Sequence, residues 1–146
     1  MDRKHQTIDL FTEIHQGSQM GVEAIDTLLD KAKDDGFKMK LIELQNEYKH
    51  IAATANVELQ KYGGTPKEIS VGQRVTAWGM TNLQTFINSS SEHLADMMIQ
   101  GTHMGIDGMH KALNNNTDAD DTAKQLVDQF IQLQQKHADE MRSYLH

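Results

Sequence analysis

The chain has 146 residues, 38% of them hydrophobic and 24% charged, which is the size and composition of one globular domain over 1–146. The absence of cysteine excludes a disulfide scaffold, thiolate metal ligands and cysteine nucleophiles. The sequence contains no run of about 18 apolar residues, so no membrane span is predicted. A net charge of −7 has the wrong sign for unassisted binding to nucleic acid or to an anionic membrane. One proline and 5% aromatic residues favour helices over a β-sandwich, and we expect a cytoplasmic, all-α protein.

Two long helices are predicted in the first half of the chain. Apolar residues recur every three or four positions over 7–33, and Thr7 is the expected N-cap. A second apolar stripe covers 37–62 and ends at the pair Gly63-Gly64. Because only a short break around Gly36 separates the two stripes, these helices are expected to form an antiparallel hairpin.

Three further helical segments are predicted in the second half. A connector over 70–88 begins with a capping-box pattern, and longer apolar stripes cover 90–113 and 117–145. Acidic residues directly after Thr117 favour a helix start at that position. Two hairpins joined by a long connector make the crossover type of four-helix bundle.

The first and third long helices share a repeat. Residues 17–29 and 101–113 are identical at four of thirteen aligned positions and conservatively replaced at four others. Their order along the chain indicates a duplicated helical hairpin. The repeat contains a Gly-x-x-x-Gly pattern, and the missing Cβ atoms are predicted to let the two helices pack closely. The four glycines are Gly17, Gly21, Gly101 and Gly105.

A duplicated hairpin with a long crossover resembles the ferritin-like superfamily. More closely, the chain is similar to an uncharacterised bacterial branch with a Gly-Gly-x-Pro element after the second helix, here residues 63–66. The resemblance implies a ferritin-like four-helix bundle of two pseudo-repeated hairpins joined by a long crossover with a short extra helix. It also implies a place for two iron or manganese ions, held by inward Glu residues and Glu-x-x-His motifs. No established activity comes with that branch.

One literal Glu-x-x-His motif is present, at Glu47 and His50. At about 100° per residue, the apolar stripe of this helix lies within about 60° of Tyr48. Glu47 then lies about 100° away, at the flank, and His50 about 160° away, towards solvent. We therefore interpret this motif as accidental rather than as half of a di-metal centre.

The polar residues at the inward positions differ from the ligands of a di-metal centre. On the fourth long helix Gln134 and His137 both fall within the core stripe, so the pattern there is Gln-x-x-His. Ser18 and Thr102 stand at the inward positions where the resemblance implies glutamates. We predict an interior layer of Ser18, Tyr48, Thr102, Gln134 and His137 with one strong metal ligand and no carboxylate. Burying two divalent ions there would leave their charge uncompensated, whereas hydroxyl, amide and imidazole groups can satisfy one another.

A surface site is the other metal candidate. His103, Asp107 and His110 are spaced i, i+4 and i+7, which places three donors on one side of a helix where Zn²⁺, Ni²⁺ or Cu²⁺ could bind. The alternative is a polar edge that faces solvent or a partner subunit.

Three hypotheses for function follow. The first is a non-enzymatic bundle without a resident cofactor, which acts by association as a homodimer or with an unidentified protein. The second is a protein with an atypical site for a weakly held divalent transition metal, or an oxidoreductase-like member. Its ligands would be drawn from Glu47, His50, His103, Gln134 and His137. The third is a small-ligand pocket between the hairpins, lined by Ser18, Tyr48, Thr102 and His137.

Overall fold

The computed structural model describes residues 2–64 and 90–145. Within these residues the chain forms four α-helices and no strand. They are α1 (Arg3–Lys31), α2 (Asp35–Lys61), α3 (Ser91–Asn115) and α4 (Asp121–Arg142). The expected all-α class is thereby confirmed, while the connector helix predicted over 70–88 lies outside the described residues.

Side-chain caps explain where the first three helices begin. Asp2 accepts a hydrogen bond from the His5 amide at 2.8 Å, and Asp34 accepts one from the Phe37 amide at 2.8 Å. Ser90 caps α3 in the same way. Each cap satisfies an amide that has no partner within its own helix. Because Asp2 supplies the first cap, α1 starts at Arg3, and the prediction that Thr7 is the N-cap was wrong.

Thr7 and Gln6 instead tie α1 to the loop between α3 and α4. Both side chains are buried. The Asp120 amide donates to Thr7 Oγ1 at 2.8 Å, and the Asp118 amide donates to Gln6 Oε1 at 2.8 Å. With its amides satisfied from outside, this loop stays non-helical up to Asp120, so the predicted start of the last helix at Thr117 was also wrong.

Packing is most extensive within each hairpin, between α1 and α2 and between α3 and α4. α1 also contacts both helices of the second hairpin, and this joins the two halves. The central core is fully buried and mainly aliphatic, and its largest members are Phe11, Phe37, Phe130, Leu10, Ile14, Ile25, Leu28, Leu41, Leu44, Leu59 and Leu94. In the described part of the chain, each helix is too short or too polar to cross a lipid bilayer.

Candidate functional site

The five residues of the predicted interior layer are all buried. Ser18 and His137 have no exposed surface, and Tyr48, Thr102 and Gln134 are at most 5% exposed. They come from all four helices, one from each of α1, α2 and α3 and two from α4. The helical stripe places them inside the bundle because each lies at a three- or four-residue spacing from apolar core residues.

The hydroxyl groups of this layer are satisfied locally. Ser18 donates to the Ile14 carbonyl at 2.6 Å, and Thr102 donates to the Met98 carbonyl at 2.8 Å. The Tyr48 phenol hydrogen-bonds with Thr102, and burial raises the pKa of Tyr48 above its usual range. Tyr48 is therefore neutral at physiological pH.

His137 has a carboxylate partner that the angular argument excluded. Its Nε2 lies 3.0 Å from Glu47 Oε2. Glu47 does lie at the flank, with 29% of its side chain exposed. Its long side chain nevertheless reaches inward from there, so the prediction of a layer without any carboxylate was wrong. The His137 ring also packs edge-on against Tyr48, with ring centroids 4.8 Å apart.

Burial sets the protonation of this pair. It lowers the pKa of His137, and the opposing attraction of Glu47 and Glu140 does not cancel the effect. Burial also acts to raise the pKa of Glu47, but the hydrogen bond and charge of His137, together with Lys136, bring it below its usual value. At neutral pH the pair is therefore a neutral imidazole donating its Nε2 proton to a carboxylate. Among the described residues His137 Nδ1 has no hydrogen-bond partner.

Glu47 also begins a chain of ion pairs on the surface between α2 and α4. Lys136 Nζ lies 3.6 Å from Glu47 Oε1 and 3.8 Å from Glu140 Oε1. Glu140 Oε2 in turn lies 3.0 Å from Lys40 Nζ. This network connects the inner pair to solvent-exposed charges.

The repeat glycines face side chains of other helices. A Cβ on Gly17 would lie 3.1 Å from the Phe130 ring, and one on Gly21 would lie 3.1 Å from the Tyr48 ring. A Cβ on Gly105 would collide with the amide of Gln134. The nearest neighbours of these three glycines are therefore side chains of α2 and α4, and the prediction that all four repeat glycines let the first and third helices pack closely stays a prediction.

A cavity of about 250 Å³ lies between α1 and α3. Gly101 lines it, together with Gly17, Gly21 and Gly105. Four methionines contribute to its walls, namely Met20, Met98, Met104 and Met109. Gln134 also borders it, and the buried Gln134 Oε1 has no hydrogen-bond partner among the described residues. The repeat itself indicated close packing, but a small-ligand pocket between the hairpins was the third hypothesis from the sequence. Of its four predicted lining residues, Tyr48 and Thr102 border this cavity, and Ser18 and His137 do not.

The other metal candidates are not brought into the layer. His50 is exposed on the outer side of α2, and His103, Asp107 and His110 are all exposed on α3. Over residues 2–64 and 90–145, no group of three or more His, Cys, Asp or Glu side chains is arranged to hold a metal ion.

Comparisons with known proteins bear on the fold. Residues 6–115 match a family described as "Domain of unknown function (DUF2383)". No curated protein matches the chain in sequence. A solved structure described as a dodecameric thioferritin, the bacterioferritin-related protein from Bacteroides fragilis, is similar in fold with a TM-score of 0.74 and 12% sequence identity. The alignment covers 99% of this chain and 86% of that one, and it confirms the expected ferritin-like bundle.

Proposed function

Because the chain belongs to the DUF2383 family and has a ferritin-like fold, we propose that it acts by association, first with copies of itself, and holds no di-metal centre. The composition of the interior layer carries this proposal. Ser18 and Thr102 are at the inward positions where the resemblance to ferritin-like proteins implies glutamates, and both donate their hydroxyl protons to backbone carbonyls.

Charge balance supports the same conclusion. Two divalent ions bring four positive charges, and the layer offers them one carboxylate, Glu47, which is already paired with His137 and Lys136. Buried ions without compensating charge cost several kcal/mol each. A hydrogen-bonded layer of neutral groups avoids this cost.

Elemental analysis tests the metal part of the proposal. The protein is purified without chelator and then titrated anaerobically with Fe²⁺, Mn²⁺ or Zn²⁺, with Tm as the second readout because a bound ion stabilises the folded state. We expect metal far below one ion per chain and an unchanged Tm. Two ions per chain that are lost in His137→Ala would contradict the proposal.

The surface for self-association is the outer side of α2. Met39, Ile42 and Val57 are exposed there, with 71%, 46% and 53% of their surfaces accessible. Met39 and Val57 lie on the same side of the helix, about 27 Å apart along its axis. A two-fold axis at the middle of the helix would pair the Met39 end of one copy with the Val57 end of the other, which is the self-complementarity that a dimer needs. The structural neighbour is described as dodecameric, which is consistent with association of such bundles.

Light scattering coupled to size-exclusion chromatography measures this association. We expect the unmodified chain to elute as a dimer or a multiple of it, and Val57→Asp to elute as a monomer with an unchanged helical spectrum. Leu145→Asp is the matched control, because Leu145 is an exposed apolar residue outside α2. A Val57→Asp protein of undiminished mass would exclude this interface.

A second candidate function is a weak mononuclear metal site, and the Glu47–His137 pair favours it. The two side chains are 3.0 Å apart and supply one oxygen and one nitrogen ligand suited to a divalent transition metal. This candidate predicts one ion per chain that is lost in both Glu47→Ala and His137→Ala.

A further inference from the structure

We propose that the cavity between α1 and α3 binds a small, neutral, mainly apolar molecule with one hydrogen-bond donor, and that the carboxamide of Gln134 is its polar anchor. This site lies on a different face from the outer side of α2. Ligand binding and self-association can therefore be tested, and can fail, separately.

Unmatched polarity in the cavity wall is the first argument. Gln134 is 95% buried, since only 5% of its surface is accessible, and its Oε1 has no hydrogen-bond partner among the described residues. Two other buried polar groups of the wall are engaged, because Tyr48 hydrogen-bonds with Thr102 and Thr102 donates to the Met98 carbonyl. A buried acceptor without a donor is unfavourable, so a ligand N–H or O–H placed here gains an interaction that the protein itself does not supply.

The space itself is the second argument. Gly17, Gly21, Gly101 and Gly105 line it, and none of them places a side chain in it. The methionine side chains in the walls are flexible and polarizable, so they can adapt to an apolar ligand. An apolar cavity of about 150 Å³ is known to bind benzene. The 250 Å³ available here is therefore suited to a fused bicyclic ring.

Charge at the opening argues against an anionic ligand. Glu13 lines the cavity and is exposed at its mouth. Burial on one side, together with the charge of Asp9, raises the pKa of Glu13 but does not remove the acidic character of this surface. With a net charge of −7 on the whole chain, an anionic ligand would be repelled at this entrance.

Indole and indene are the probes that test the anchor. The two molecules have nearly the same size and shape, but only indole carries an N–H. Binding is measured on the full chain by amide chemical-shift titration. A net hydrogen bond of ordinary strength corresponds to about a 2- to 10-fold difference in affinity, so we expect indole to bind more tightly than indene by that factor.

Three variants locate the binding. In Gln134→Leu the two probes should bind equally, because the leucine has a similar volume and no acceptor. In Met104→Trp, where a larger side chain is placed at an exposed wall position, both probes should be lost. Gln125→Leu, at an exposed position of the same helix, should bind both probes as the unmodified chain does.

Each contrary result overturns the proposal. Failure of both probes to bind would show that the cavity takes no such ligand. Equal affinity of the two probes in the unmodified chain would exclude Gln134 as the anchor. Binding that persists in Met104→Trp would place the probes elsewhere on the protein.

Discussion

Replacing Glu47 with alanine tests whether the inner hydrogen bond between His137 and Glu47 holds the two hairpins together. In this variant the buried Nε2 proton of His137 loses its acceptor, since Glu47 Oε2 is the partner at 3.0 Å. His137 has no exposed surface, so water cannot replace that acceptor without local opening. The second contact of Glu47, to Lys136 at 3.6 Å, involves a side chain that is 56% exposed.

The expected magnitude is the sum of a large and a small effect. An unsatisfied buried donor costs about 1–3 kcal/mol. An exposed ion pair contributes about 0–1 kcal/mol. We therefore expect Glu47→Ala to lower the free energy of unfolding by about 2 kcal/mol. Glu43→Ala is the matched control on the same helix, because Glu43 makes an exposed ion pair with the Lys40 ammonium at 3.6 Å and its side chain is 57% exposed.

Urea denaturation followed by circular dichroism at 222 nm measures both variants. Glu43→Ala should stay within about 0.5 kcal/mol of the unmodified chain, as surface substitutions do. A double-mutant cycle with His137→Leu should return a coupling free energy of about 1–2 kcal/mol. Equal losses in Glu47→Ala and Glu43→Ala, or a coupling near zero, would refute the reasoning.

Three further predictions concern acid and the glycines. The pKa values of His137 and His15 are lowered by burial, so the unfolded chain binds more protons than the folded chain below about pH 6.5. Stability should therefore fall as the pH is lowered through this range. Chemical denaturation at several pH values should show that the free energy of unfolding falls less steeply with decreasing pH for His137→Gln than for the unmodified chain. Identical slopes for the two proteins would contradict this. Gly108→Ala should raise stability by about 0.5–1 kcal/mol, because its Cβ meets open space in a helix. Gly17→Ala should lower the thermal midpoint instead, because its Cβ would press on the buried Phe130 ring, and a higher midpoint would show that the ring moves freely.

Periodicity alone predicts much of this architecture. The helical stripe placed Tyr48, Gln134 and His137 inside the bundle because an apolar period of 3.6 residues defines the buried side of each helix. The same projection missed the role of Glu47, because it locates a Cα atom on the helix and not the end of a long side chain. Sequence reasoning can find such a residue only by allowing flanking Glu and Lys side chains to reach inward.

Helix starts were harder to predict, for a different reason. Thr7 and Thr117 are both of a residue type that favours an N-cap. Whether these threonines cap a helix was decided by a contact between distant parts of the chain, in which Thr7 accepts a hydrogen bond from the Asp120 amide. The glycine pattern was ambiguous in a similar way. A missing Cβ can admit either a neighbouring backbone or a neighbouring side chain, and only the assembled bundle shows that Tyr48 and Phe130 fill the space.

The two amides held by Gln6 and Thr7 report on the cooperativity of the fold. The residues joined by these hydrogen bonds are 112 and 113 positions apart in the chain. The Asp118 and Asp120 amides lie outside any helix, so their protection against hydrogen exchange depends on the docking of α1 and not on the second hairpin itself. Amides in the middle of α3 and α4, in contrast, are protected by their own helices. If the hairpins separate before either one unfolds, Asp118 and Asp120 will exchange faster than those helical amides, and the two rates together measure the free energy that joins the halves of the molecule.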